Sequence, residues 1–420
     1  MQGMALMWVR TQLKIGWNDL LLGAIRSFFP PQREAQIEQA KAFFQDDAHW
    51  LPTFSVRTGF ELLLKSLDLK AGDEIIFSAV NVKGMVNIVR ELGFVPVPVY
   101  IKFGELAPSL EKLTAAISPR SKVFVAAHLF GTRSDLDAAF KIAKSHGLLS
   151  VEDCAQAFNG RSYMGSLEAD VVMFSFGPIK TATALGGALL NIRSPQLFDR
   201  VNSLEMDYPL QPERKQLKRY VSAAAIKIVS SRTVLDIVYR YYKKRGRNYE
   251  EELANKVRDV APLKKKGGLH YRPSASLLWM MNRRMRQLTD GDLDLRTSRG
   301  QQLAGLLGDV AVLPGQLSKH HDYWLFAVVT DNAAELVGAL RGAGFDAGGL
   351  PRSQTVDAPA YRSDLGPVLA KEMLDSVVVV PCYESMPESE IIREAAIIRS
   401  VLSKSAKKSA EVLAKRMDGP

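Results

Sequence analysis

The chain has 420 residues, 47% hydrophobic and 24% charged, with 30 Gly and 20 Pro, which excludes collagen-like, low-complexity and wholly disordered chains and suits two or three domains with substantial cores. Lys and Arg outnumber Asp and Glu 55 to 45, a formal charge of +10. That balance favours anionic partners without choosing among phosphorylated small molecules, membrane surfaces and nucleic acid.

The first 29 residues are apolar but interrupted by Arg10, Lys14, Asp19 and Arg26. With no continuous apolar block before a small-residue cleavage site, they do not read as a secretory signal. No stretch approaches the ~20 apolar residues of a spanning helix. Cys154 and Cys382 cannot build a disulfide framework or a four-thiolate zinc site and fit a reducing compartment. The expectation is a cytoplasmic protein without a metal centre.

From residue 54 to 191 short apolar runs alternate with helical patterns. Residues 74–77, 95–99, 122–126, 149–151 and 171–174 read as buried strands; 83–92, 109–117 and 134–145 read as helices. Such alternation predicts βαβ crossovers and a mostly parallel sheet covered on both faces, with ligands beyond the carboxyl ends of the strands. Residues 205–287 are strongly basic, and 261–287 hold no acid although Lys264, Lys265, Lys266, Arg272, Arg283, Arg284 and Arg286 lie there. Drawn as one helix, 226–243 places Arg232, Asp236, Arg240 and Lys243 on one face. Ile228, Leu235, Ile237, Val238, Tyr239, Tyr241 and Tyr242 fall on the other. That pattern suits an ordinary surface helix or one lying in an anionic bilayer interface. Further on, 324–329 and 377–380 read as strands, 332–342 as a helix and 342–351 as a Gly-rich connection. The tail from Ser403 is Lys-rich, helical or frayed. The predicted division is an N-terminal arm (1–50), a large domain (51–204), a basic helical segment contributing to dimer contacts (205–290) and a small α/β domain (291–420).

The strongest local signal is Val151-Glu152-Asp153-Cys154-Ala155-Gln156-Ala157, followed by Phe174-Ser175-Phe176-Gly177-Pro178-Ile179-Lys180 and then by Gly186-Gly187. An acid at one strand end, with a Ser and a Lys after the next strand, suits pyridoxal phosphate (PLP). A lysine there can form a Schiff base, and an aspartate can pair with the pyridinium nitrogen. His128 reads equally as a core histidine at a strand end, and Cys154 as a small buried residue.

These residues resemble the DegT/DnrJ/EryC1/StrS family of fold-type-I, PLP-dependent sugar aminotransferases. The likeness runs from 55 to 191 and returns at 268–273 and 377–392. Its Glu-Asp-x-Ala-Gln-Ala motif stands at 152–157, its Ser-Phe-x-x-x-Lys motif at 175–180, and its His-Leu-Tyr-Gly turn as His128-Leu129-Phe130-Gly131. Gly72-Asp73-Glu74 matches its Gly-Asp-Glu turn. The resemblance implies Lys180 as Schiff-base lysine, Asp153 as pyridinium partner, Gln156 beside the cofactor ring and Ser175 on the phosphate. The family's Ser-Gly-Thr phosphate turn aligns with Thr58-Gly59-Phe60, without the last hydroxyl. Val82 stands where the family stacks an aromatic on the ring. His270, in His270-Tyr271-Arg272, stands where it supplies an Asn in trans.

Because Lys180 is retained, the resemblance implies transamination. An amino acid, glutamate in the family's habit, would give its amino group to a keto-sugar or related ketone, nucleotide- or lipid-linked. The expected protein is a homodimer with ping-pong kinetics, with an anionic membrane surface as a further partner at the inner face. The departures at Val82 and His270, with the basic middle and the apolar N-terminus, motivate the competing class: a PLP-fold protein altered in catalysis that binds at a membrane or regulates. No zinc-finger cysteines or recognition motif support nucleic-acid binding.

Overall fold

The computed structural model describes residues 7–46, 48–245, 268–350 and 353–403. Ten strands precede residue 200: β1 (Trp50–Thr53), β2 (Glu74–Ser78), β3 (Val80–Val82), β4 (Val95–Val99), β5 (Ile101–Lys102), β6 (Ala107–Pro108), β7 (Ser121–Ala127), β8 (Leu149–Asp153), β9 (Val171–Ser175) and β10 (Ala188–Ile192). Seven form one sheet in the order β1-β10-β9-β8-β7-β2-β4. β10 runs antiparallel to both neighbours, and the β9-β8-β7-β2-β4 pairs are all parallel. The fold is α/β with a mostly parallel central sheet.

Residues on both sides of the strands are buried, so the strands read as continuous apolar runs. One face carries Trp50, Phe124 and Phe174 against helical side chains such as Phe140; the other carries Phe77 and Val125 beneath Phe60 and Val86. All five strands expected in this region form, extended at their ends by at most two residues. β1 and β10 were not expected. β1 is short and contains Pro52, tolerable because it is the edge strand. The helix expected from 134 begins at Asp137, because Ser134 is engaged elsewhere: its hydroxyl donates to Glu105 O and its N–H to His128 Nδ1.

The basic middle departs from its sequence pattern. Residues 226–243 are not one helix: Glu213–Val229 and Arg232–Lys244 are separate, broken at Ser230 and Ser231. Asp236 is buried and pairs with Arg240, while Leu235 and Tyr242 pack with Met7, and Ile228, Ile237 and Tyr241 face outward. The two expected faces therefore do not hold. The helix Ala275–Gln287 buries Leu277, Leu278, Met280, Met281 and Met285, and its Arg283 and Arg284 pair with the buried Asp19. Their charge is spent inside the protein. Lys264 to Lys266 and the tail beyond Ser403 lie outside the described residues.

The C-terminal part pairs β11 (Phe326–Val329) with β13 (Val377–Val380), antiparallel, under the helices Asp290–Leu307, Ala333–Gly342 and Glu388–Leu402. β12 (Ser353–Thr355) crosses back to pair with β3. The N-terminal arm docks here through Trp8, whose N–H donates to Gly344 O. No helix among the described residues is long and apolar enough to cross a membrane.

Candidate active site

Asp153 ends β8, and Lys180 lies five residues beyond the end of β9, the next strand in the sheet. Both therefore stand at the carboxyl edge, where a parallel sheet exposes its loops. Asp153 is buried, with Oδ1 accepting the Ala155 N–H at 2.9 Å. Burial pushes its carboxyl above the ordinary value, and the Ala155 N–H and the Lys180 charge pull it back. A cation placed against it would complete the ionised form. Lys180 Nζ sits 4.4 Å from the ring centroid of Trp324. Trp324 is itself tied to the lysine's turn, its Nε1–H donating to Ile179 O at 2.8 Å.

Behind Asp153 lies a buried polar cluster. Glu152 Oε1 accepts from His128 Nε2 (2.7 Å) and from the Tyr163 hydroxyl, and Oε2 accepts the Ser166 N–H (2.6 Å). His128 Nδ1 accepts the Ser134 N–H, so the ring proton belongs on Nε2. His128, left open between a core and a catalytic residue, is a brace: its own N–H holds the Asp153 carbonyl. These bonds keep the Glu152 carboxyl below its ordinary value against the opposing effect of burial. Gln156 Oε1 accepts the Phe130 N–H at 2.8 Å, locking the turn after His128.

Ser175 closes β9 opposite Ala188 at the start of β10, and Ala188 also faces Thr53 at the end of β1. The chain then enters the helix Val56–Ser66 through its N-cap Ser55. Ser175, this helix start and Gly186-Gly187 thus meet at one edge and form a cup. Gly187 has φ +84°, and a Cβ there would lie 2.2 Å from Met281 Sδ. Only glycine fits that turn without displacement.

The aligned phosphate turn lies in the first turn of this helix. The helix starts two residues before Thr58, whose N–H and hydroxyl are both engaged with Ser55 Oγ while the hydroxyl also meets Leu269 O. Gly59 packs against Leu190, and Phe60 lies in the core edge-on to Phe77. Thr58 and Phe60 turn their side chains inward and Gly59 lies close to Leu190; what the helix offers an anion is its electropositive first turn. Val82 is half-buried at the end of β3, paired with Ser353. His270 lies against its own chain, Nε2 at 3.0 Å from both Glu61 oxygens. Trp324, Tyr163 and the two arginines Arg57 and Arg219 near the cup stand in no sequence motif. Trp324 was legible only as a strand residue and Arg219 only as one of a basic run.

A buried carboxylate awaiting a cation, a nearby lysine and an anion-ready cup fit PLP in charge and placement. An α/β protein with that site is of the fold-type-I class. Residues 30–227 match the sequence profile of the DegT/DnrJ/EryC1/StrS aminotransferase family, the one the chain's motifs resemble. The chain's fold is similar to that of the aminotransferase TlmJ from Streptoalloteichus hindustanus (17% identity, TM-score 0.67, covering 95% of this chain and 99% of that one). It is similar also to DesV of S. venezuelae (20%, 0.66, 94% and 98%). A third likeness is to Helicobacter pylori PseC, an aminotransferase involved in pseudoaminic acid biosynthesis (15%, 0.67, 95% and 100%).

Proposed function

We propose that this chain is a PLP-dependent aminotransferase moving an amino group from an amino acid, glutamate by family habit, to a keto-sugar. The observation that carries the reading is the convergence of Lys180 and the buried Asp153 at the edge shared by β8 and β9. When bound, the cofactor would supply an electron sink for charge developing at the substrate carbon. Asp153 would hold a proton on the ring nitrogen, with Glu152 and His128 bracing its backbone. Lys180 Nζ, in its neutral form, would take a proton from the substrate carbon and return it to a carbon two bonds away. Ser175 would meet the phosphate and Gln156 the ring side of the site. The nearby Trp324 would limit where Lys180 can swing.

Lys180→Ala should abolish the visible absorbance of bound cofactor and turnover while the protein stays folded. Borohydride reduction and peptide mapping should place the label on Lys180; label on another lysine would sink the assignment. A colourless protein that ignores added PLP would favour the binding-protein alternative. Screening nucleotide- and lipid-linked keto-acceptors, following 2-oxoglutarate formed from glutamate, addresses the acceptor. The proposal includes a homodimer, and a fully active monomer by light scattering would contradict it.

A second reading concerns location. The helices Trp17–Phe28 and Glu213–Val229 pack antiparallel, with Gly23 against Tyr220 at one level and Lys227 Nζ 5.9 Å from the Trp17 ring at another. Trp17, Leu21, Leu22, Ile25, Phe28, Val221 and Ile228 are exposed. The acids of both helices, Asp19 and Glu213, are engaged with Arg283, Arg284 and Ser276. Apart from the neutral Asn18, what faces outward is therefore apolar or cationic, suited to an anionic bilayer interface at the cytoplasmic side. A second copy would bring like charges together. Cosedimentation with phosphatidylglycerol-containing vesicles should be strong at low salt and weakened at least tenfold by Leu21→Glu. No binding at low salt removes this reading.

A further inference from the structure

We infer that Arg219, from the helix Glu213–Val229 of the same chain, is a phosphate ligand at the cup, working together with Arg57. The inference rests on the PLP reading for the identity of the anion. Its starting point is placement. The Arg219 guanidinium stands 4.6 Å from the ring centroid of Phe54, the residue before the N-cap Ser55. On its other side, a Cβ at Gly186 would come within 2.3 Å of Nη1. Phe54 and Gly186 belong to two of the segments that form the cup, and Ser175 is joined to both through the β1-β10-β9 register. A side chain at position 186 would push the guanidinium away, which gives that glycine a physical purpose.

The electrostatics point the same way. Among the described residues, the hydrogen-bond partner of Arg219 is the neutral Gln216 Oε1 at 3.3 Å, and no carboxylate pairs with it. Besides the opposing influence of the Tyr220 phenol, it feels another cation, Arg57, on the first turn of the helix Val56–Ser66. Burial and that neighbour together lower the Arg219 pKa to about 10. An enclosed guanidinium without a counter-charge is costly, and two arginines beside one another compound the cost. A phosphate dianion removes it. The planar fork of Arg219 can take two oxygens, and the helix first turn adds its dipole.

The charge is also needed. Ser175 and backbone N–H groups are neutral donors, and His270 is held by Glu61 on its own chain. Other basic residues of this segment are committed differently: Lys215 Nζ reaches the Tyr271 hydroxyl at 2.5 Å, and Arg272 Nε reaches Tyr208 O. Arg219 is the member of the run whose guanidinium turns toward the cup. The basic pattern between 214 and 219 is therefore not uniform surface charge.

The test compares PLP, pyridoxal (which lacks the phosphate) and inorganic phosphate on the full chain. Absorbance titration reads the first two, and calorimetry reads the third. Arg219→Met keeps an apolar stem against Phe54, and Arg219→Lys keeps the charge without the fork. Losing hydrogen bonds to a charged group predicts that Arg219→Met weakens PLP about 10- to 100-fold. Pyridoxal binding should stay within about twofold, and the loss for Arg219→Lys should be intermediate. Equal losses for PLP and pyridoxal would make Arg219 a structural residue and overturn the inference, as would wild-type PLP affinity in both variants. If the wild-type chain binds inorganic phosphate through Arg219 but takes neither PLP nor pyridoxal, the anion site stands and the PLP reading falls. Binding of none of the three overturns both.

Discussion

Replacing Glu152 with Gln tests whether the cluster behind Asp153 is held by donor matching or by charge alone. The carboxylate accepts from His128 and Tyr163 on Oε1 and from the Ser166 N–H on Oε2. In Glu152→Gln the amide oxygen can keep His128 and Tyr163, but the NH2 group must then face the Ser166 N–H. One buried N–H loses its acceptor, at a cost of about 2–3 kcal/mol. Glu152→Ala strands all three donors and leaves a cavity, for about 4–5 kcal/mol. Urea unfolding followed by circular dichroism at pH 7.5 measures both, with each variant placed on the same extrapolation. The pH dependence supplies a second check. The hydrogen bonds hold Glu152 below its ordinary value of 4.5, so its contribution is full above that value in the folded protein and is lost as pH falls through the depressed one. The Gln variant should lack that acid-side loss. A Glu152→Gln variant as stable as wild type, or as damaged as Glu152→Ala, would refute the donor-counting argument.

Asp153→Asn should retain cofactor binding and lose turnover about a hundredfold or more, measured under saturating substrate, because the neutral amide cannot keep the ring nitrogen protonated. His321 stacks on Tyr323 at 4.1 Å and accepts its N–H, and burial lowers its pKa to about 4. Stability should therefore fall as pH drops from about 6.5 to 4, by about 2–3 kcal/mol, a loss that chemical denaturation should find absent in His321→Gln. Glu205 is buried and raised to about 7 by desolvation despite Arg33 and Arg272. Because the folded state holds that proton more tightly, stability should fall between about pH 4.5 and 7. Glu205→Gln should then be about 2–3 kcal/mol more stable than wild type at pH 8, and an unchanged thermal midpoint there would contradict the assignment.

The sequence by itself determined the class of fold and which residues stand at its edge. Runs such as Val95–Val99, Val171–Ser175 and Val377–Val380 are local patterns, and burial on both faces leaves a local trace. Asp153, Ser175 and Lys180 were legible because their spacing follows two neighbouring parallel strands. Tertiary structure decided the rest. β1 is four residues long and exists because Trp50–Thr53 finds Ala188–Ile192 across more than 130 residues. Arg283 and Arg284 look like surface charge until Asp19 is folded against them, and Asp236 looks exposed until its helix turns inward. Thr58, Gly59 and Phe60 align with a ligand turn, yet they serve the helix cap, a close approach to β10 and the core. Arg219 has no distinguishing mark among its basic neighbours. Periodicity records how a residue sits relative to those a few places away. A counter-ion, a packed ring or a place suited to an anion is set by segments that only the folded chain brings together.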